Sequence, residues 1–303
     1  MTSPEHPIHW LQHAGQRLGL VPSLGGGVAA WQLDQPNGTL DLWRAWAGST
    51  NRYTLASMPM LPWCNRISGG GFEHAGVFYP MRLNRAGEPY PIHGDGWLQP
   101  WQLQQTADNT LEMTLQSHAF DNNPYVYQAL QRFVLLEGGM DQTLTVTHLG
   151  DQPLPYGLGQ HPWLPRSAAT RLSAPVQGVW LSGGDPLPTR HSHQFPPGWD
   201  PRAGMPVTDM LVDNVYTGWA GQATITWPEQ ALTLTMTVPK ILELGQQDGY
   251  CLLYLPPTGA AFCLEPMTHP VDAFHLPGKP GLQVLQTGQN LSLQVQWRFA
   301  RSA

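Results

Sequence analysis

Leu291-Ser292-Leu293-Gln294-Val295-Gln296-Trp297-Arg298-Phe299 carries an apolar side chain at every odd position and a polar one at every even position. A period of two is that of a half-buried β-strand, because successive side chains leave the pleat on opposite sides. The same alternation occurs at Leu111, Met113 and Leu115, and at Leu144 and Val146 between Thr143, Thr145 and Thr147. It occurs again at Leu232, Leu234, Met236 and Val238 between Thr233, Thr235 and Thr237. Threonine-rich alternation suits antiparallel sheets with one wet face. The runs are separated by turn signals such as Gly69-Gly70-Gly71, Gly138-Gly139, Gly183-Gly184-Asp185-Pro186 and Pro196-Pro197-Gly198.

Composition agrees with this pattern. Among 303 residues, 32 are Gly and 30 are Pro, well above average usage, which argues against helical bundles, coiled coils and helical solenoids. The 13 Trp and 41% hydrophobic residues exclude a disordered chain. Residues 183–206 are rich in Pro and Gly but hold Phe195 and Trp199, which suits a packed surface loop better than a linker. No fixed-period repeat stands out. The pattern therefore predicts a single all-β domain over residues 1–303, a large sandwich of antiparallel strands with long functional loops.

Charge and cysteine usage narrow the function. The formal net charge is −6, and 13 Arg are joined by only two Lys, Lys240 and Lys279, so there is no basic stripe and nucleic acid is not expected as a partner. Cys64, Cys251 and Cys263 form no CxxC pair and are odd in number, which fits neither a disulfide framework nor a zinc knuckle and suits a reducing cytoplasm. No apolar run approaches membrane-spanning or signal-peptide length, so no membrane or targeting segment is expected.

Four segments concentrate polar residues among Gly, Pro and Trp: Pro62-Trp63-Cys64-Asn65-Arg66-Ile67, Ile92-His93-Gly94-Asp95-Gly96-Trp97, Gly159-Gln160-His161-Pro162-Trp163 and Leu264-Glu265-Pro266-Met267-Thr268-His269. The planar donor fork of Arg66 suits a polyhydroxylated ligand, or a structural carboxylate. His93 sits on a tight turn where backbone approaches closely, or is a solvated turn residue. His161 is biased toward extended geometry by Pro162, and serves as an acid–base group or a backbone-bonded structural His. Glu265 follows the apolar run Ala260-Ala261-Phe262-Cys263-Leu264, so its carboxylate is expected at a strand end, partly desolvated and raised toward the range of a general base. Asp213 suits two sugar hydroxyls with Asn214 orienting it, or a turn cap. Trp63, Trp97 and Trp163 each stand beside a candidate polar residue, and aromatic faces stack on sugar rings.

Other chemistries lack an anchor. There is no GxSxG elbow, no P-loop and no GxGxxG, and the 12 His supply no HExxH. His191-Ser192-His193 reads as a solvated loop rather than a metal pair, and no metal site is expected.

Asn65-Arg66, His93-Gly94, His161-Pro162, Asp213-Asn214 and Glu265-Pro266, in this order, resemble the aldose 1-epimerase (galactose mutarotase) family, as does Leu285-Gln286-Thr287-Gly288-Gln289 before the final strand. The likeness spans roughly residues 20–300. It implies an antiparallel β supersandwich of the galactose mutarotase-like kind and interconversion of the anomers of a free hexose without a cofactor. By position, Glu265 matches the general base at the anomeric hydroxyl and His161 the general acid at the ring oxygen. His93 matches the second His near that oxygen, and Arg66 and Asp213, with Asn65 and Trp163 beside the motifs, the groups that hold the sugar. Trp163 stands where many members have Tyr or Phe, Asp95 stands where a further Gly is usual, and a Gln that binds substrate in some members has no counterpart here.

The resemblance leaves two alternatives. A hexose-6-phosphate epimerase would require Arg or Lys converging on a phosphate, with Arg82, Arg85 and Arg166 as candidates. A non-catalytic sugar-binding or sugar-sensing module would keep the cleft and lose the acid or base. Glycoside hydrolysis normally needs two carboxylates of equal standing, and only Asp213 is available as a partner for Glu265.

Overall fold

The sequence periodicity is written directly into the sheets. In the computed structural model, which describes residues 6–244 and 249–301, the alternating C-terminal stretch lies in the strand Asn290–Arg301. This strand is central in a nine-stranded sheet, between Leu232–Thr237 and Gly139–His148. Leu291, Leu293, Val295 and Trp297 are buried, each contributing about 1.5–3 kcal/mol of apolar transfer. Their polar neighbours face outward and pair across strands, Ser292 with Thr145 at 2.7 Å and Arg298 with Asp141 at 2.6 Å.

A second sheet of eight strands packs on the first through a continuous core that takes Leu144, Leu234 and Val295 from one sheet and Val212, Leu253 and Phe262 from the other. A four-stranded sheet, from His9–His13 to Gly38–Trp43, closes against them. Trp31 and Trp43 of that sheet meet edge-on at 5.4 Å, and Trp43 meets Trp297 at 5.2 Å. Every pairing between strands is antiparallel among the described residues, as expected for the all-β supersandwich. The sole α-helix among them is Pro239–Leu244, and no helix is long and apolar enough to cross a membrane.

The loop expected over residues 183–206 packs as predicted through Phe195 and Trp199, whose carbonyl accepts from the Tyr216 hydroxyl at 2.7 Å. It also contains a strand the composition hid, Pro188–Ser192, paired with Gly178–Ser182.

The eight-stranded sheet positions the candidate residues. In the strand Ala261–Met267 all seven residues are buried. Phe262 and Leu264 point into the inter-sheet core, so Cys263 and Glu265 point to the other face. The neighbouring strands present Leu252 and Tyr254, then Asp213 and Val215, on that same face, because Leu252 pairs with Glu265, Tyr254 with Cys263 and Asp213 with Tyr254. Glu265 therefore lies inside a strand that continues through Pro266 to Met267, rather than at its end, and it is 1% exposed. The apolar run preceding it is a buried strand as expected, and pairing continues beyond Glu265, Pro266 with Cys251 and Met267 with Tyr250, an extent that carries no local signal.

Candidate active site

His161 comes to face Glu265 through register. Gly159 pairs with Met267 and Trp163 with Cys263, both on the Glu265 strand, so the residue midway between them stands opposite Glu265. The His161 amide donates to the Met58 carbonyl at 3.0 Å, and its Nε2 lies 3.3 Å from Glu265 Oε1. Both groups are buried. Burial pushes the Glu265 carboxyl well above its ordinary range, with the Asp213 charge adding to the effect and Arg66 opposing it. Burial likewise depresses His161, to about 3. Each shift disfavours the charged form of its own group, so together the pair retains one acidic proton rather than none or two.

His93 approaches from a separate turn. Its ring centroid is 5.3 Å from that of His161, nearly perpendicular. The Asn65 amide donates to His93 Nδ1 at 3.2 Å, which places the imidazole proton on Nε2. Burial, reinforced by His161 and the nearby arginines, keeps the ring neutral. The turn is clamped on both sides: Asn84 Nδ2 donates to the Ile92 and Gly94 carbonyls, each at 2.8 Å, and the Trp97 indole donates to Gly94 O at 3.0 Å. Asp95 faces away from the cleft, accepting from the Tyr127 hydroxyl and the Asn123 amide. Burial raises its carboxyl to about 6 against those hydrogen bonds.

Gly94 sets the depth of this turn. Its φ is +71°, and a Cβ there would lie 1.8 Å from the Leu61 carbonyl oxygen, a backbone atom that cannot move aside. Gly94→Ala is expected to cost about 3 kcal/mol or more, whereas Gly76→Ala costs about 1 kcal/mol, since Gly76 has a similar φ of +77° with nothing within 4 Å. Urea unfolding of both variants checks this, and equal losses would refute the close approach.

Arg66 organises the opposite wall. Its Nε and Nη2 donate to Glu88 at 2.9 and 3.2 Å, and its Nη1 donates to Asn65 Oδ1 at 3.2 Å and stands 3.7 Å from Asp213. Burial opposes its charge, but the Glu88 hydrogen bond and the Asp213 carboxylate outweigh it and raise the pKa. Burial raises the Asp213 carboxyl, while Arg66 pulls it back. The structural and ligand-binding readings of Arg66 thus coincide: it pairs with carboxylates and also lines a cavity of about 460 Å³, within the usual range for small-molecule sites of ~300–1,000 Å³.

That cavity gathers Asn65, Arg66, His93, His161, Trp163, Asp213 and Glu265, every residue expected there except Trp63 and Trp97. These two are core residues: Trp63 packs on Tyr125 and Trp97 is hydrogen-bonded to the His93 turn. Of the three tryptophans, Trp163 alone lines the cavity, with the Arg44 guanidinium 4.1 Å from its ring centroid. Asn214 does not orient the Asp213 carboxylate; its side chain turns to the other face and donates to Trp180 O at 2.8 Å. Of the three arginines suggested for a phosphate, Arg85 lines the cavity. Arg82 is exposed and paired with Asp121, and Arg166 is tied to the carbonyls of Gly259, Val207 and Pro256. His191 and His193 are held by Thr217 and by the Gln177 carbonyl.

Five lining residues carry no reading in the sequence: Arg44, Tyr53, Glu88, Leu252 and Tyr254. Glu88 had a signal, since Arg85-Ala86-Gly87-Glu88 is a charged turn in a charge-poor chain. Arg85 lies 3.4 Å from Glu88 and stacks at 3.6 Å over Tyr53, whose ring in turn meets His93 and His161. The cavity thus opposes an acid–base pair to a wall of guanidinium, carboxylate and amide groups, an arrangement able to hold a polar molecule and move protons on it.

The aldose 1-epimerase family model matches residues 9–298. The uncharacterised protein YphB of Escherichia coli K12 is 30% identical over 302 residues, 96% of this chain and 99% of YphB. A solved E. coli K12 structure, provisionally assigned as an aldose 1-epimerase, superposes with a TM-score of 0.89 at 28% identity, covering 98% of this chain and 99% of the other. A galactose mutarotase-like protein from Clostridium acetobutylicum shares the fold, with a TM-score of 0.81 at 15% identity over 99% of this chain and 100% of its own.

Proposed function

The chain belongs to the aldose 1-epimerase family, and from that premise we propose that it interconverts the α and β anomers of a free hexose by acid–base ring opening and closure. The observation that carries this reading is the buried Glu265–His161 pair, 3.3 Å apart on one side of a polar cavity. Ring opening needs a proton removed from the C1 hydroxyl and another delivered to the ring oxygen, at atoms flanking one C–O bond. The reactive form of the pair carries its single proton on His161: Glu265, as the carboxylate, takes the C1 hydroxyl proton as the C1–O5 bond breaks, and the electron pair of that bond stays on the ring oxygen, which His161 protonates. The aldehyde turns about C1–C2. His161 then takes the proton from the attacking C5 hydroxyl and Glu265 returns one to the carbonyl oxygen, closing the ring with inverted C1. Each placed acid or base contributes about 100- to 10,000-fold, and no cofactor enters the proton balance.

His93, a neutral Nε2–H donor, is assigned to the ring oxygen, and Arg66, Asn65, Asp213 and Trp163 to the remaining hydroxyls and ring face. Three arginines and three carboxylates line the cavity, and Arg66 and Arg85 both face Glu88. With Arg66 and Arg85 both taken up by Glu88 and Arg44 donating to the Tyr53 and Leu55 carbonyls, the arginines are committed to protein partners, which favours an uncharged sugar over a hexose phosphate. Asp213 and Glu88 both face Arg66, which leaves Glu265 without the second free carboxylate of a glycosidase. The same reading treats residues 1–303 as one domain, because the cavity draws on residues from Arg44 to Glu265. The three buried, free thiols accord with the cytoplasm.

Polarimetry on freshly dissolved α-D-glucose and α-D-galactose, in buffer free of catalytic phosphate, tests the proposal. Acceleration of mutarotation is expected. If hexose 6-phosphates respond instead, the substrate class is wrong; if neither class responds while sugar still binds, the protein is a sugar-binding module.

A further inference from the structure

Cys263 has no part in the reaction above, yet its thiol stands beside both reacting groups. Its Sγ, a His161 ring nitrogen and a Glu265 carboxylate oxygen all lie within 4.8 Å of one another, and all three residues are buried. The juxtaposition follows from register: Cys263 and Glu265 are two apart on one strand and share a face, and His161 is carried opposite Glu265 by the segments on either side of it. In tetrahedral zinc sites, bond lengths of about 2.0–2.3 Å put ligand atoms about 3.3–3.8 Å apart. His161 Nε2 and Glu265 Oε1 are at 3.3 Å already. Glu265 Oε2 is buried without a hydrogen-bond partner. Sulfur, nitrogen and oxygen donors together suit a borderline-soft divalent ion over Mg²⁺ or Ca²⁺, which prefer oxygen.

The geometry points to Cys263, His161 and Glu265 as an inhibitory site for Zn²⁺ or a like thiophilic cation, with the fourth position open to the cavity. Binding releases two protons to buffer, one from the Cys263 thiol as it becomes a thiolate and one held by the Glu265–His161 pair. The ion takes the lone pairs with which Glu265 and His161 would accept protons, so sugar and ion compete. This inference rests on the acid–base reading of Glu265 and His161, and the test separates the two.

The protein is freed of metal with chelator, then titrated with Zn²⁺ in the polarimetric assay and with Cd²⁺ by ultraviolet absorbance, where a cadmium thiolate shows a charge-transfer band. Zn²⁺ is expected to inhibit competitively with sugar, Mg²⁺ to have no effect, and Cd²⁺ to produce the band. Cys263→Ser and Cys263→Ala should keep the metal-free rate, lose the band, and need at least about 10- to 100-fold more Zn²⁺ for inhibition, the loss already typical of weaker outer contacts. A band in the wild type without mutarotation would keep the metal site and sink the enzymatic reading. Mutarotation without a band, or inhibition unchanged in both Cys263 variants, would overturn the metal site. Cys64→Ser is the control for the other buried thiol behind the cavity and should behave as wild type.

Discussion

Glu265→Gln is expected to lower kcat/KM for mutarotation by about 100- to 10,000-fold while leaving sugar affinity nearly unchanged, because Gln keeps the shape and hydrogen-bonding capacity of the acid and loses only its basicity. Stability should move the other way. Burial holds the folded Glu265 pKa well above its ordinary value, so between those two values the folded state retains a proton that the unfolded state releases. Glu265 therefore costs the protein stability as pH rises through that window, and the cost is absent below the ordinary carboxyl range. The Gln variant should match wild type in acid and be at least as stable above neutrality. Polarimetry with thermal melts across pH measures both, and undiminished turnover would remove Glu265 from the reaction.

His161→Ala is the second large effect, expected to reduce kcat/KM by about 100- to 10,000-fold. A loss below tenfold would transfer the acid role to His93, whose Nε2–H is the other donor near the pair. The pH profile carries further information because the pair titrates as a unit. Burial disfavours a second proton, which moves the acid limb below the ordinary His value of about 6.5, and disfavours removal of the one proton held, which moves the alkaline limb above the ordinary Glu value of about 4.3. A wild-type plateau through pH ~6.5 is expected. An imidazole titrating alone would instead lose its acid function as pH rises through that value, and such a limb would refute the coupled pair. The linkage sign for His161 is opposite to that for Glu265. Its folded pKa is depressed, so stability falls as pH drops from ~6.5 toward the folded value.

Extended-chain geometry explains which sequence readings succeeded. Trp163 lies two residues from His161 and shares its face, so an aromatic beside a functional residue was informative there. Asn214 follows Asp213 directly and must point to the opposite face, which is why it bonds Trp180 O and leaves the carboxylate alone. Trp63 and Trp97 also stand beside candidate polar residues in the sequence yet lie in the core, because adjacency to a polar residue says nothing about direction once the chain turns. Glu88, Tyr53 and Arg44 lie on segments whose ends are positioned by other loops, so their meeting with Arg66, His161 and Trp163 has no local signature.

Side-chain alternation, a consequence of local covalent geometry, makes the strands around residues 111–115, 143–147, 232–238 and 291–299 legible in the sequence, together with the faces they bury and the residue types available for proton transfer. The tertiary fold was needed to bring Glu265 and His161 to 3.3 Å, to share Arg66 among Glu88, Asp213 and Asn65, and to carry His161 to the Cys263 thiol, within 4.8 Å. Strand pairing between distant segments sets those distances. The layers that then exclude water set the local dielectric, and with it the proton affinities on which the chemistry depends.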